Sequence, residues 1–291
     1  MNKNNDINED EIRVIGTETQ EDNQKQHRGW LYMALMAFVV IVFLLALLIR
    51  KPKDEVYIPE TDTVETVFEG SQLTADKWYN NTDTLKKSRI DIRDTMVNDV
   101  RLRVYTPYNC KPELFVGELD MNDNSIVLCT QAADLRKDNG KILGAFVLKG
   151  EPMAWGLSKR GYCAIIDNEM SIGVSDNSPL FELATEREGY FFRQYPLVDN
   201  GKAVSNNPEN KAVRRALCTW GDNYHLVFSI EKMTMNEFSD ILAQMGVLNA
   251  IYLVGSDYAH GWVGNGEDRT YFSKPYSKFP ENINYILFRA K

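Results

Sequence analysis

The chain has 291 residues, 44% of them hydrophobic and 25% charged, the makeup of a globular protein with room for a membrane anchor and one domain of roughly 200 residues. Its formal net charge of −8 argues against nucleic acid as a partner, because proteins that bind that polymer present a basic face. The four cysteines, Cys110, Cys129, Cys163 and Cys218, lie far apart without a CxxC pair, so no structural metal is expected and nothing calls for a cofactor; they read as two disulfides in an oxidising compartment or as four buried thiols.

Residues 1–29 are rich in Asn, Asp, Glu and Gln and are expected to form a disordered tail. From Trp30 to Ile49 come 20 residues without a charge, which at helical rise span about 30 Å, one hydrocarbon thickness. Trp30 and Tyr32 suit the interface at one end, and Arg50-Lys51-Pro52-Lys53 closes the other. The run is long for a cleaved signal peptide and no small-x-small site follows it, so residues 30–49 are predicted to be one uncleaved transmembrane helix in a lipid bilayer. Lys25 and Arg28 before it oppose Arg50, Lys51 and Lys53 after it, a count that slightly favours the C-terminal side as cytoplasmic. Residues 50–90 read as a juxtamembrane tether and 91–291 as the folded domain.

Within the domain, Val100, Leu102 and Val104 alternate with Arg101, Arg103 and Tyr105, the pattern of a half-buried strand. Further strands are predicted at 113–118, 125–130, 142–148, 162–167 and 170–174, the last two joined by a tight turn at Asp167-Asn168. Ser178 as N-cap and Pro179 at the first helical position start a short helix ending near Gly189. Strand 190–198 runs into the turn Asp199-Asn200-Gly201, and strands 213–219 and 224–230 pair across Gly221-Asp222-Asn223. Thr234 and Glu237 have capping-box spacing, and Phe238, Ile241, Leu242 and Met245 form the apolar stripe of a helix that Gly246 can end. Ala250 to Val254 is a short apolar run, read as a buried strand, that opens into the turn Gly255-Ser256-Asp257. A loop rich in aromatics and glycine (258–281) precedes a last strand, Asn284 to Phe288. Many strands and few helices predict an α+β domain with a mixed multi-stranded sheet.

Three stretches, in order, resemble the phosphodiester-glycosidase family, whose members include bacterial envelope domains. Gly144-Ala145-Phe146-Val147 followed by Gly150-Glu151-Pro152 is similar to that family's Asn-Gly-Gly-Phe-Phe segment and its Gly-x-Pro. Gln194-Tyr195-Pro196-Leu197-Val198 with Gly201 resembles its PxLVxxG hairpin, and Arg214-Arg215-Ala216-Leu217-Cys218 its Arg-Thr-Ala-Ile-Gly strand. The helix and strand of 234–257 match in layout, ending where the family writes Leu-Asp-Gly-Gly-Gly-Ser. The resemblance, covering about residues 95–290, implies a domain outside the cytoplasmic membrane with residues 1–29 inside, acting on or binding a sugar-phosphodiester glycan. The departures are as informative. The family's asparagine falls on Leu143, its second glycine on Ala145, and its Asp-Gly-Gly on Val254-Gly255-Ser256. Hydrolysis of a sugar phosphodiester needs carboxyls to handle protons, so weakened or lost catalysis is expected. The alternative is a non-catalytic envelope module that binds a glycan or an envelope protein.

The resemblance names Arg214, Gly255, Ser256, Gly144 and Arg193 as substrate-binding candidates, with arginine's planar fork suited to phosphate. Arg214 reads more readily as a surface arginine on a strand. Asp257, three positions beyond the lost aspartate, is the one candidate to replace it by a loop shift; otherwise it is a solvated turn residue. Ser256, Asp257 and His260 are triad residue types without the GxSxG elbow. Trp262, Tyr271, Phe272 and Tyr276 read as sugar-stacking rings or as core cover, and Cys218 as a packing residue.

Overall fold

The computed structural model describes residues 77–274 and 276–291. All the described residues belong to one compact unit, Phe68–Lys291. The predicted tail, the span 30–49 and most of the tether lie outside the described residues, among which no helix is long and apolar enough to cross a membrane.

The chain opens with strands β1 (Arg89–Val97), β2 (Val100–Tyr108), β3 (Cys110–Val116) and β4 (Ile126–Gln131). Next come β5 (Ala145–Leu148), β6 (Glu151–Trp155), β7 (Gly161–Ile166), β8 (Glu169–Val174) and helix α1 (Leu180–Glu186). Strands β9 (Tyr190–Gln194), β10 (Pro196–Asp199), β11 (Lys202–Ala203), β12 (Arg215–Trp220) and β13 (Asn223–Ser229) lead to helix α2 (Met235–Gln244). The chain closes with β14 (Asn249–Leu253), β15 (Gly261–Val263), β16 (Thr270–Tyr271) and β17 (Asn284–Ala290).

These strands build three sheets: seven strands in the order β1-β2-β13-β12-β14-β10-β11, five as β16-β15-β4-β17-β3, and five as β6-β5-β9-β7-β8. Every pairing among the described strands is antiparallel, which corrects the expectation of a mixed sheet. Two-residue hairpins impose this. Asn98-Asp99, Lys149-Gly150, Asp167-Asn168 and Asn200-Gly201 all have positive φ at both central residues, the geometry that matches the twist of the flanking strands. The helical crossover β13–α2–β14 brings in no parallel pair, because its strands lie on opposite sides of β12.

Helix α2 follows its sequence closely. Thr234 Oγ1 accepts from the Glu237 amide (3.1 Å) and Glu237 Oε2 from the Thr234 amide (2.7 Å), closing the capping box. Phe238, Ile241 and Leu242 are buried in a cluster with Leu197, Ala216, Val227 and Ala250, Met245 is partly buried, and Gly246 ends the helix with φ +86. Helix α1 starts one residue later than predicted: Pro179 is the N-cap, and Ser178 Oγ still accepts from the Leu180 amide at 3.3 Å.

A central core joins all three sheets, with Leu217, Leu226 and Ile251 from the first, Leu128, Ile286 and Phe288 from the second, and Phe146, Cys163 and Phe192 from the third. The segment expected as one strand at 190–198 breaks at Tyr195, where the chain leaves the third sheet as β9 and enters the first as β10. Gly161 permits the close approach there, since a Cβ would sit 2.7 Å from the Gln194 carbonyl oxygen and 2.8 Å from Ile251 Cγ2. Residues 77–90, assigned from sequence to the tether, pack on the domain. Tyr79 bridges Met170 through two 2.9 Å backbone bonds, and the Asn81 side chain bonds both backbone groups of Tyr224. All four cysteines are buried free thiols.

Candidate functional site

The ends of β4 and β14 and the start of β17 leave a cavity of about 200 Å³. Its walls include Gln131, Asp134, Val254, Tyr276, Ile283 and Asn284. Asp134 is the wall's carboxylate, with its side chain 29% exposed, and it pairs with the ammonium of Lys159, whose side chain is 2% exposed. Lys159 Nζ also donates to Gln194 Oε1 (2.6 Å) and lies 4.1 Å from the centroid of the Tyr195 ring. Burial pulls the Lys159 pKa down while Asp134 opposes the shift. Gln194 is itself fixed, accepting from the Tyr195 amide at 3.0 Å and donating to the Ala132 carbonyl at 3.4 Å. Gln131 Nε2 donates to the Tyr276 hydroxyl at 3.1 Å, which sets the wall tyrosine. Asn284 is committed to the backbone of Ala133 by one bond accepted at 2.7 Å and one donated at 3.1 Å. The cavity thus presents a neutralised carboxylate, amides and a phenol ring, groups suited to sugar hydroxyls.

The sequence-predicted residues fall into two groups. Gly255 packs on the β12 approach, where a Cβ would stand 3.3 Å from Arg214 Cα, and its amide donates to the Tyr252 hydroxyl at 2.9 Å. Arg214 is only 3% exposed, so it is not a surface arginine. Its guanidinium donates to the backbone carbonyls of Met233 (2.9 Å) and Asn210, pinning the loop before β12. Gly144 (φ +99) packs on Arg193, 3.3 Å from its Cβ and carbonyl oxygen to an added Cβ. Arg193, 2% exposed, donates to the carbonyls of Lys159 (2.9 Å), Ser175 (2.8 Å) and Asp176 (3.1 Å), and burial lowers its pKa. Through Lys159 it supports the cavity from behind.

Ser256 adopts φ +128 and accepts from the Tyr258 amide at 3.2 Å; a serine in that conformation is strained. Asp257 pairs with Lys232 at the surface and does not line the cavity. His260 is fully buried and shares a 3.2 Å hydrogen bond with the Tyr285 hydroxyl through Nδ1. Ser256, Asp257 and His260 therefore each have a different partner and form no relay. Burial, then the charge of Arg215, lowers the His260 pKa. Trp262 is core, donating to the Ile126 carbonyl at 3.4 Å, whereas Tyr276 lines the cavity. Among the described residues no three His, Cys, Asp or Glu side chains cluster to hold a metal ion.

Asp134, Lys159, Gln194 and Arg215 were missed as candidates. Arg215 carried the only usable signal: it shares a strand face with Leu217, so the alternating pattern points it inward. It is 2% exposed, donates to Thr130 Oγ1 at 2.9 Å, and lies 4.9 and 5.2 Å from the ring centroids of Phe228 and Phe272. Burial pushes its pKa down to about 10, so it stays cationic at neutral pH.

No protein-family model and no curated protein matches the sequence. Among solved structures, the chain resembles the zebrafish N-acetylglucosamine-1-phosphodiester alpha-N-acetylglucosaminidase catalytic domain auto-inhibited by its pro-peptide, at 13% identity and TM-score 0.49, over 69% of this chain and 82% of that one. It also resembles a hypothetical protein from Synechocystis, at 13% identity and TM-score 0.47, over 69% of this chain and 62% of that one. No residue-by-residue correspondence follows from superpositions at that level.

Proposed function

We propose that this chain binds a sugar-phosphodiester glycan in the cavity between its sheets and hydrolyses it weakly or not at all. One observation carries the reading: among the described residues the cavity wall has a single carboxylate, Asp134, already paired with Lys159, and Val254 stands at the end of β14. A wall of amides, a tyrosine ring and a carboxylate can bind a sugar. Glycoside hydrolysis ordinarily uses two carboxyls with different protonation roles, and Val254 has no proton to give or take. The sequence motifs support the same ligand class and the departure at Val254 the same loss. Residues 30–49 would anchor the chain in the inner membrane of a cell envelope, with the domain outside, where an envelope protein partner is also within reach. A C-terminal alkaline-phosphatase fusion would then be active, and a fusion active only with a cytoplasmic reporter would refute that placement.

The deciding test uses the full-length chain in a non-ionic detergent with a methyl glycoside 1-phosphodiester. Calorimetry should register binding that Asp134→Asn weakens, and chromatography should find little or no released sugar. Rapid turnover that survives both Asp134→Asn and Asp257→Asn would overturn the reading.

A further inference from the structure

We propose that the free edge of β1 is a docking surface for a second copy of this chain, whose own β1 pairs with it antiparallel about a two-fold axis at Ile92. A bare strand edge offers a row of unmet N–H and C=O groups, and proteins blunt such edges with short strands, proline, bulges or a covering segment. Among the described strands, five of the six sheet edges are blunted in these ways. Strands β11 and β16 have two residues each, β3 carries Pro112, β6 carries Pro152 and a register shift, and β8 is bridged at Met170 by Tyr79. Strand β1 differs, with nine residues, no proline and an unbroken register against β2 from Arg89 to Val97. Val97 and Val100 close a two-residue hairpin as a hydrogen-bonded pair. The alternation then turns the backbone groups of Ile90, Ile92, Asp94 and Met96 outward. Among the described residues no backbone partner meets them there.

Charge selects both the partner and the register. Residues directly opposite in a sheet share a face, so the two-fold axis must pass through a residue. Centred on Ile92, it sets Ile92 against its twin, Ile90 against the second copy's Asp94, and Asp91 against the second copy's Arg93, the last two twice by symmetry. Centres at Asp91, Arg93 or Asp94 instead oppose like charges on the axis itself, which is destabilising. A centre at Ile90 cuts the shared stretch of strand from residues 89–95 to 89–91, and Lys86, with φ 54, turns the chain aside before it. The charged groups are available. Arg93 lies over the Trp220 ring at 5.1 Å and pairs with no carboxylate among the described residues. Arg89, which holds Asp91 at 2.9 Å, keeps Asp83 at 2.5 Å when Asp91 turns to the second copy. Ile92, 52% exposed, gains an apolar neighbour in its twin. The register forms about six backbone hydrogen bonds, two in each of three outward pairs. One strand against one strand is at the small end of specific interfaces, so the dissociation constant should be micromolar.

The test is sedimentation equilibrium of the full-length chain in density-matched non-ionic detergent, from about 1 to 100 μM, the range that brackets a micromolar constant. Wild type should pass from one chain per particle to two. Asp91→Arg should weaken the dimer about 10-fold, since two attractive cross-strand pairs become repulsive, and Asp91→Arg combined with Arg93→Asp should restore it. Ile92→Pro should abolish pairing yet leave the fold intact, because the N–H it removes faces away from β2. Oxidation with copper phenanthroline in air should join copies of Ile92→Cys, whose Cα atoms at about 5.5 Å suit a disulfide. It should not join copies of Met96→Cys, on the same face but about 27 Å from its twin, and the four native thiols are buried. One chain per particle up to the highest concentration overturns the proposal, and an edge reserved for a different protein gives that result. A dimer that both Asp91→Arg and Ile92→Pro leave intact, as one held by residues 30–49 would be, overturns it too. So does cross-linking through Met96→Cys in place of Ile92→Cys.

Discussion

Replacing Gly255 with alanine adds one methyl group at the joint between β12, β14 and the cavity wall. The backbone there does not demand glycine, since φ lies outside the left-handed region; the neighbours do. The new Cβ would sit 2.4 Å from the Val213 carbonyl oxygen, 3.2 Å from the Tyr252 hydroxyl and 3.3 Å from Arg214 Cα. A carbon–oxygen contact normally settles near 3.3 Å, so the gap must widen by about 0.9 Å. Val213 cannot simply retreat, because Arg214 is held at its amide by Ser229 Oγ (2.8 Å) and at its carbonyl by the Ser229 amide (2.9 Å). Overpacking of this kind costs about 1–3 kcal/mol, or roughly 2–12 °C in melting temperature for a domain of this size. Gly201→Ala is the control: its φ of +79 strains alanine, but no atom lies within 4 Å. Urea unfolding followed by tryptophan fluorescence should show both variants weakened, and only Gly255→Ala, which displaces the neighbouring Val254 wall, should also lose glucose 1-phosphate affinity. Wild-type melting and wild-type binding in Gly255→Ala would refute the reasoning.

Phe238→Ala empties a fully buried site under α2 and should lower unfolding free energy by about 3–5 kcal/mol; a loss below about 1 kcal/mol in urea titration would mean the helix does not seal that core. Lys159→Met removes the partner of Asp134, and because that carboxylate is 29% exposed the loss should fall short of the ~3–5 kcal/mol for breaking a fully buried pair; an unchanged urea midpoint would refute the ion pair. His225 and His260 are both held below their ordinary pKa of 6.5, chiefly by burial, so the unfolded chain takes up protons first as the solution is acidified. Their contribution is complete above pH 6.5 and is lost as pH falls through the folded values. Melting temperature should therefore drop on acidification from neutrality, and less steeply in His260→Gln; a flat profile down to pH 5 would contradict the burial of both rings.

Local physics made part of this fold readable. The capping box, the apolar stripe and Gly246 specify α2 within a few residues of one another, and Asp167-Asn168 and Asn200-Gly201 announce their turns by residue type. Strand β1 was hidden because it is an edge strand: Ile92 and Met96 are exposed and Asp91, Arg93 and Asp94 sit among them, so burial never imposes a clean alternation. Tyr195 illustrates a different blindness. Nothing in YFFRQYPLV marks the residue at which a continuous apolar run changes sheets, because that switch is set by what packs on either side. The cavity residues have the same origin. Asp134 and Lys159 sit in polar loops that read as solvent-facing, and only the packing of the sheets turns them into a half-buried pair. Arg214 and Gly255 pack against each other, but the Arg214 fork is occupied by backbone carbonyls, a competition that sequence does not display.

The arrangement of charge bears on what the cavity can do. A carboxylate that works as a general acid or base must exchange its proton with substrate, and it does so best when its environment tunes its pKa toward the working pH. Asp134 instead shares its charge with an ammonium whose own position is fixed three ways, by Gln194 at 2.6 Å, by the ring of Tyr195 and by Arg193 on its carbonyl oxygen. The carboxylate oxygens of such a pair remain acceptors, and its charge is already matched. Val254, also on the wall, has no proton to give or take, and burial raises the Cys129 pKa, which keeps that thiol protonated and inert. Rebuilding catalysis would then take more than Val254→Asp. A new carboxylate there would meet an Asp134 still paired with Lys159, so one of the two carboxyl roles would stay without a free group.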